Sequence, residues 1–229
     1  MFILRRFIEA LAIPLTLALS TLFIANAAAQ SQPSPATRGD NQFWSEMQLS
    51  VPINNRMDLV LFGIVRFGRN VSRPVNERVG AGILVRCGKY LTVLPSYLYV
   101  ASQPTSTNHS TEHRITLEAT PKFPIRSFAI SDRNRVEFHF HSPSPSFVQY
   151  RNRMQIEHAL RLHDLHGFLA DEVFYDSVAS AWIRNRFYLG VAKKVNKNFT
   201  LEVYYARQND SHSHPGDINA LGSTFKIRL

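Results

Sequence analysis

From Gln42 to Leu229, apolar and polar positions alternate with a period of two. The alternation comes in runs of roughly ten residues separated by turn-forming clusters, as in a chain of strands and hairpins. Eleven runs can be placed: 42–51, 57–68, 77–87, 90–100, 112–120, 126–140, 147–160, 167–176, 181–195, 199–208 and 217–229. The breaks include Asn54-Asn55, Gly88, Pro121 to Pro124, Pro143 to Pro145, Asn196 to Asn198 and Pro215-Gly216, all ordinary turn chemistry. In the run from Phe199, Leu201, Val203 and Tyr205 share one face, and Thr200, Glu202 and Tyr204 the other. The run 57–68 is apolar on both faces, 90–100 carries tyrosines and leucines on both, and Asp171 falls on the apolar face of 167–176. No run has a helical period, so the pattern predicts an all-β meander.

Alternation alone does not say which face points inward. A soluble β-fold buries its apolar face, whereas a transmembrane barrel turns it towards lipid. Eleven long strands exceed a lipocalin-sized barrel. Aromatics gather near the ends of runs (Phe43, Trp44, Phe67, Tyr90, Tyr99, Phe147, Tyr150, Tyr175, Trp182 and Phe199), and the last run, Leu221 to Leu229, is itself apolar and alternating. These features predict an antiparallel, up-and-down transmembrane β-barrel. The alternative is a secreted soluble barrel that binds a small ligand. Single-chain bacterial barrels usually have even strand counts, which predicts about 12 strands, with 10 as the other even solution.

The tripeptide Arg-Asn-Arg occurs at 133–135, 151–153 and 184–186. Because side chains alternate along a strand, both arginines of each copy share one face and the asparagine takes the other. An arginine facing lipid costs about 2–4 kcal/mol near the bilayer midplane, so the arginines are expected to face the lumen. Carboxylates lie on the corresponding faces. The predicted lumenal network comprises Arg133, Arg135, Glu137, Arg151, Arg153, Glu157, Glu172, Arg184, Arg186 and Glu202, with guanidinium forks paired to carboxylates. Such a network is either structural or an anion-selective constriction or ligand site.

The chain has 229 residues and a formal net charge of +9. Residues 1–29 read as a signal peptide: Arg5 and Arg6 precede the apolar stretch Leu11 to Ile24, and small residues around Ala27 to Ala29 suit cleavage. Residues 30–41 are a polar, Pro- and Ser-containing lead-in, and 42–229 form the barrel. Export argues against a nucleic-acid partner despite the basic charge. The single Cys87 forms no internal disulfide.

The stretches FWSEMQLSVPINNRMDLVLFGIVRFG, PSYLY, SDRNRVEF, YRNRMQIEH, DEVFYD, WIRNRF and FTLEVYYARQND, in that order, resemble the bacterial family called domain of unknown function 2490. The resemblance implies an exported outer-membrane β-barrel in contact with outer-membrane lipid and lipopolysaccharide. The last run, Leu221 to Leu229, resembles the C-terminal signal strand of bacterial outer-membrane proteins, which implies insertion by the outer-membrane assembly machinery through that strand. The family resemblance supplies no catalytic residue, ligand or cofactor.

An outer-membrane hydrolase of the phospholipase or lipid A deacylase type is the enzymatic alternative. It requires a nucleophile held by an oriented histidine. His139 with Ser142 and His158 with Asp171 are the pairs to test, and no nucleophile motif marks either. The histidines at 212 and 214, and at 163 and 166, fall in predicted loops and predict no metal site.

Overall fold

The computed structural model describes residues 39–103, 109–141, 145–160, 164–213 and 216–229. The expected signal peptide and most of the lead-in lie outside the described residues, as do Ser142, His163 and His214. Eleven strands follow one another: β1 (Asp40–Pro52), β2 (Met57–Gly68), β3 (Arg73–Cys87), β4 (Leu91–Ser102), β5 (Ser110–Ile125), β6 (Phe128–His141), β7 (Phe147–Ala159), β8 (Leu165–Asp176), β9 (Ala181–Lys194), β10 (Phe199–Asp210) and β11 (Ile218–Arg228). Each pairs antiparallel with its sequence neighbour, and β1 closes the barrel against β11. The strands are 11 to 16 residues long. About 9–11 tilted residues span a bilayer core.

The closure differs from the expected even count. Among the described residues there are eleven strands, neither twelve nor ten, and β1 and β11 run parallel, from Asp40↔Ile218 to Ser50↔Arg228. With an odd number of strands the first and last point the same way, so only a parallel ladder can close the ring. The fold is therefore up-and-down with one parallel seam. One strand also runs further than its turn signals suggest. β5 continues through Pro121 and Pro124 to Ile125. Its ladder to β4 ends at Pro121, and Pro124 pairs only with Ala129 of β6. There a missing N–H breaks no central ladder.

The odd strands' starts and the even strands' ends define one rim, here the upper; it carries the connections 69–72, 103–109, 142–146, 177–180 and 211–217. The lower rim carries 53–56, 88–90, 126–127, 160–164 and 195–198.

The apolar faces point out. Leu61, Val79, Ile115, Leu117, Leu189 and Leu221 are all exposed, while Glu137 and Glu172 have no exposure. This inverts the usual arrangement of a water-soluble core. Near the upper rim, Trp182 makes edge contacts with Tyr150 and Tyr175; near the lower rim, Phe199 stacks on Phe225 and Phe128 makes a tilted contact with His158. Two aromatics expected at the rims are inside instead. Trp44 is buried in the interior beside Tyr188, and Phe147 stacks on His139. Rim position is readable from an aromatic's place in a run, but parity decides its side.

Candidate functional site

The site is the interior of the barrel over β5 to β10. The β6–β7 register sets Arg133 opposite Arg153, Asn134 opposite Asn152 and Arg135 opposite Arg151. Like charges directly across a ladder repel, so this register requires carboxylates between them. Two supply that need. Glu137 accepts from Arg151 Nη1 at 2.7 Å, Arg114 Nη1 at 3.1 Å and Arg135 Nη1 at 3.3 Å. Glu172 accepts from Arg133 Nη2 at 2.7 Å, Arg151 Nη2 at 2.8 Å and the Tyr188 hydroxyl at 3.0 Å. Arg151 thus bridges both glutamates. Glu118 extends the network, accepting from Arg135 Nε at 2.9 Å.

Above this plane Glu112 accepts from Arg114 Nε at 2.6 Å. His139 lies between two carboxylates, 2.9 Å from Glu112 and 3.3 Å from Glu137, without the alignment of a hydrogen bond. Arg184 pairs with Asp210 at the same end.

Of the ten predicted residues, Arg133, Arg135, Glu137, Arg151 and Glu172 meet in one network. Arg184 pairs instead with Asp210 and Glu202 with Lys226. Glu157 lies 3.3 Å from a partly exposed His166, on β8 near the lower rim and apart from the network. Arg153 and Arg186 have no carboxylate within ion-pair distance among the described residues. Arg153 stacks 4.2 Å above Tyr188 and donates to Gln155. Arg186 lies 4.9 Å from the Trp44 ring and donates to Gln208. Arg66, Arg78 and Arg114 also line the interior. Their parity with Asp58 on β2, with Arg86 on β3 and with Glu112 on β5 was the available signal.

Two cavities flank the network. The lower, of about 330 Å³, is bounded by Trp44, Arg66, Arg153, Tyr188 and Tyr204 among others. The upper, of about 180 Å³, is bounded by Glu112, Arg114, His139 and Arg184. Arg78, Arg151 and Arg186 line both, so these three guanidiniums form the partition.

His158 and Asp171 do not pair with each other. His158 makes a tilted ring contact with Phe128 and contacts the Ser127 carbonyl, whereas Asp171 accepts from Asn185 Nδ2 at 2.8 Å. Ser142 lies outside the described residues.

The asparagines of the triplets face outward. Asn152 Nδ2 donates to Asp132 at 2.6 Å and to Asn134 at 3.2 Å; Asn134 Nδ2 donates to Asp132 at 3.1 Å, and the Tyr150 hydroxyl donates to Asn134. With Asp171 and Asn185 they make a polar cluster on the outer wall of β6 to β9, about halfway along the strands.

Fold and site together define a closed β-barrel with an apolar exterior and a charged interior. The chain belongs to the family DUF2490, described as a protein of unknown function, which matches residues 41–219. No curated protein matches it. Among solved structures it is similar to the NanC porin, with 11% identity over 83% of this chain and 99% of that one and a TM-score of 0.48. It is similar to the KdgM porin, with 15% identity over 76% and 92% and a TM-score of 0.45. An anion-selective porin from Comamonas acidovorans matches at 10% identity and a TM-score of 0.41 over 76% of this chain, which spans only 54% of that porin's length. Likeness this distant carries no property from one protein to another.

Proposed function

We propose that this protein is an exported outer-membrane β-barrel whose interior is a narrow, anion-preferring passage interrupted at mid-height by a buried arginine–glutamate partition. The observation that carries this reading is the inversion of polarity: exposed leucines, isoleucines and valines outside, and Glu137 and Glu172 fully enclosed inside. In water that exterior would be an aggregation surface, and in lipid it is the solvent-matched face. Anion preference follows from the excess of guanidinium over carboxylate at the partition. Arg78, Arg151 and Arg186 line both cavities, and no carboxylate does.

Two experiments test it in order. Fractionation of cells that make the full chain should place the mature protein in the outer membrane; recovery in the soluble periplasm would defeat the reading. Purified protein in planar bilayers should then give small, discrete conductance steps with a reversal potential shifted towards the anion. Insertion without conductance would favour a purely structural envelope barrel, a role that the tightly bridged partition also suits.

A further inference from the structure

The arginine–glutamate network neutralises only part of the interior charge. Nine cationic residues line the lower cavity against three acidic ones, Glu46, Glu118 and Glu202. Among the described residues, Arg66, Arg78, Arg153 and Arg186 have no carboxylate within ion-pair distance, and all four line this one cavity. Arg66 lies 4.1 Å over the Trp44 ring and Arg153 4.2 Å over Tyr188. The Nε atoms of both are buried without a hydrogen-bond partner. Arg186 is only 3% exposed.

A buried, unpaired cation is costly, and an orphaned donor adds to that cost. Stacking on a ring offsets only part of that cost, well short of what a carboxylate partner provides. Four unpaired guanidiniums converging on one space, Arg186 buried and Arg66, Arg78 and Arg153 half-buried, are what an anion site requires before its ligand arrives.

The wall formed by β2, β3 and β4 carries apolar groups beside Arg66 and Arg78. Phe62, Ile64, Leu84, Leu94 and Leu98, from β2, β3 and β4, face the same cavity. A bare inorganic anion would satisfy the arginines and leave this wall against water. An organic anion with an apolar body would cover both. The cavity, about 330 Å³, matches the lower end of ordinary small-molecule pockets.

We infer that the lower cavity binds a small organic anion, a carboxylate or phosphate monoester carried on a ring or short hydrocarbon. Its charged group is held by Arg66, Arg153 and Arg186, and its body lies against the β2–β4 wall. This rests on the reading above only in placing the lower rim where solutes reach it.

The two tryptophans of the chain are Trp44 and Trp182. Trp182 is on the outer wall and Trp44 lies between the cavity arginines. In a Trp182→Phe background, Trp44 fluorescence is therefore a direct reporter. Detergent-solubilised protein is titrated with benzoate, phenyl phosphate, inorganic phosphate and the neutral benzamide. Saturable changes are expected with benzoate and phenyl phosphate, at least tenfold tighter than with inorganic phosphate, and none with benzamide.

Arg66→Gln with Arg153→Gln should weaken benzoate binding at least tenfold. Because neither arginine is ion-paired, the variant should keep the wild-type heat-modifiable gel mobility. Leu94→Ser should weaken benzoate without changing phosphate. Equal binding of phosphate and benzoate, a response to benzamide, or undiminished binding by the folded double variant would each overturn the proposal. Absence of binding in a protein that still conducts anions would defeat the site and leave the passage standing. Binding in a protein that does not conduct would do the reverse.

Discussion

Among the described residues Arg151 alone bridges Glu137 and Glu172, two carboxylates with no solvent exposure. Breaking a buried ion pair by removing one partner costs about 3–5 kcal/mol, since the other charge is left uncompensated. Arg184→Leu leaves the enclosed Asp210 carboxylate with no cationic partner among the described residues, and Arg151→Leu leaves Glu137 to Arg114 and Arg135 and Glu172 to Arg133, so both should lower thermal stability in detergent. Arg153→Gln, which strands no carboxylate, should change it little. Equal melting temperatures for Arg151→Leu and Arg153→Gln would mean that pairing does not hold this wall together. The outer cluster obeys the converse rule. Asn152→Leu leaves the Asp132 carboxylate short of a donor on the outer wall and should cost about 1–3 kcal/mol, whereas replacing Asp132, Asn134 and Asn152 together by apolar residues removes the carboxylate and both amides and leaves only the Tyr150 hydroxyl without its acceptor. The triple variant should melt above the single one; a lower melting temperature would show that the cluster contributes more than its own satisfaction.

At the scale of the strand, alternation and turn signals together locate all eleven elements, although β2 is apolar on both faces, β4 carries tyrosines and leucines on both, and Asp171 breaks the parity of β8. In the three triplets, parity alone assigns Arg133, Arg151 and Arg184 to one face and their asparagines to the other. Parity does not say which interior groups meet. Glu202 reaches Lys226 and Glu157 reaches His166, because partners are fixed by cross-strand register and by height in the barrel. Nor does it distinguish a rim aromatic from an interior one, so Trp44 and Phe147 read alike with Tyr150 and Trp182. A glycine in an alternating run is similarly silent. On β3, a Cβ at Gly80 would lie 2.1 Å from the Tyr97 carbonyl oxygen and one at Gly82 would lie 2.7 Å from that of Pro95. Backbone cannot give way there as a side chain can, so β3 and β4 approach only because these positions are bare. Gly80→Val should abolish the folded, heat-modifiable form, while Gly63→Val, where nothing lies within 4 Å, should retain it. Folding of both variants would show that the close approach of β3 to β4 is dispensable.

For the whole molecule the decisive feature is the seam. Local patterning names eleven strands, but it cannot say how the first meets the last, because that pairing joins residues separated by nearly the full length of the barrel. An assumption of even strand number therefore supplies a twelfth strand that the closed ring does not need. The parallel ladder fixes a specific register, with Ser45 beside Ser223 and both on the outer wall, next to the β1–β2 pair Ser45↔Val65. A protein with Cys87→Ser, Ser45→Cys and Ser223→Cys should form an intramolecular cross-link with a short thiol-reactive linker. It should do so in the folded, membrane-inserted state and not after denaturation. Moving the second cysteine to Phe225, two residues along the same face, should reduce the yield sharply. If an additional strand intervened between β1 and β11, the two positions would be separated by two interstrand spacings, about 9.5 Å. A linker spanning one spacing would then fail while a longer one succeeded. That pattern would restore the even-stranded barrel and reverse the relative direction of its two ends.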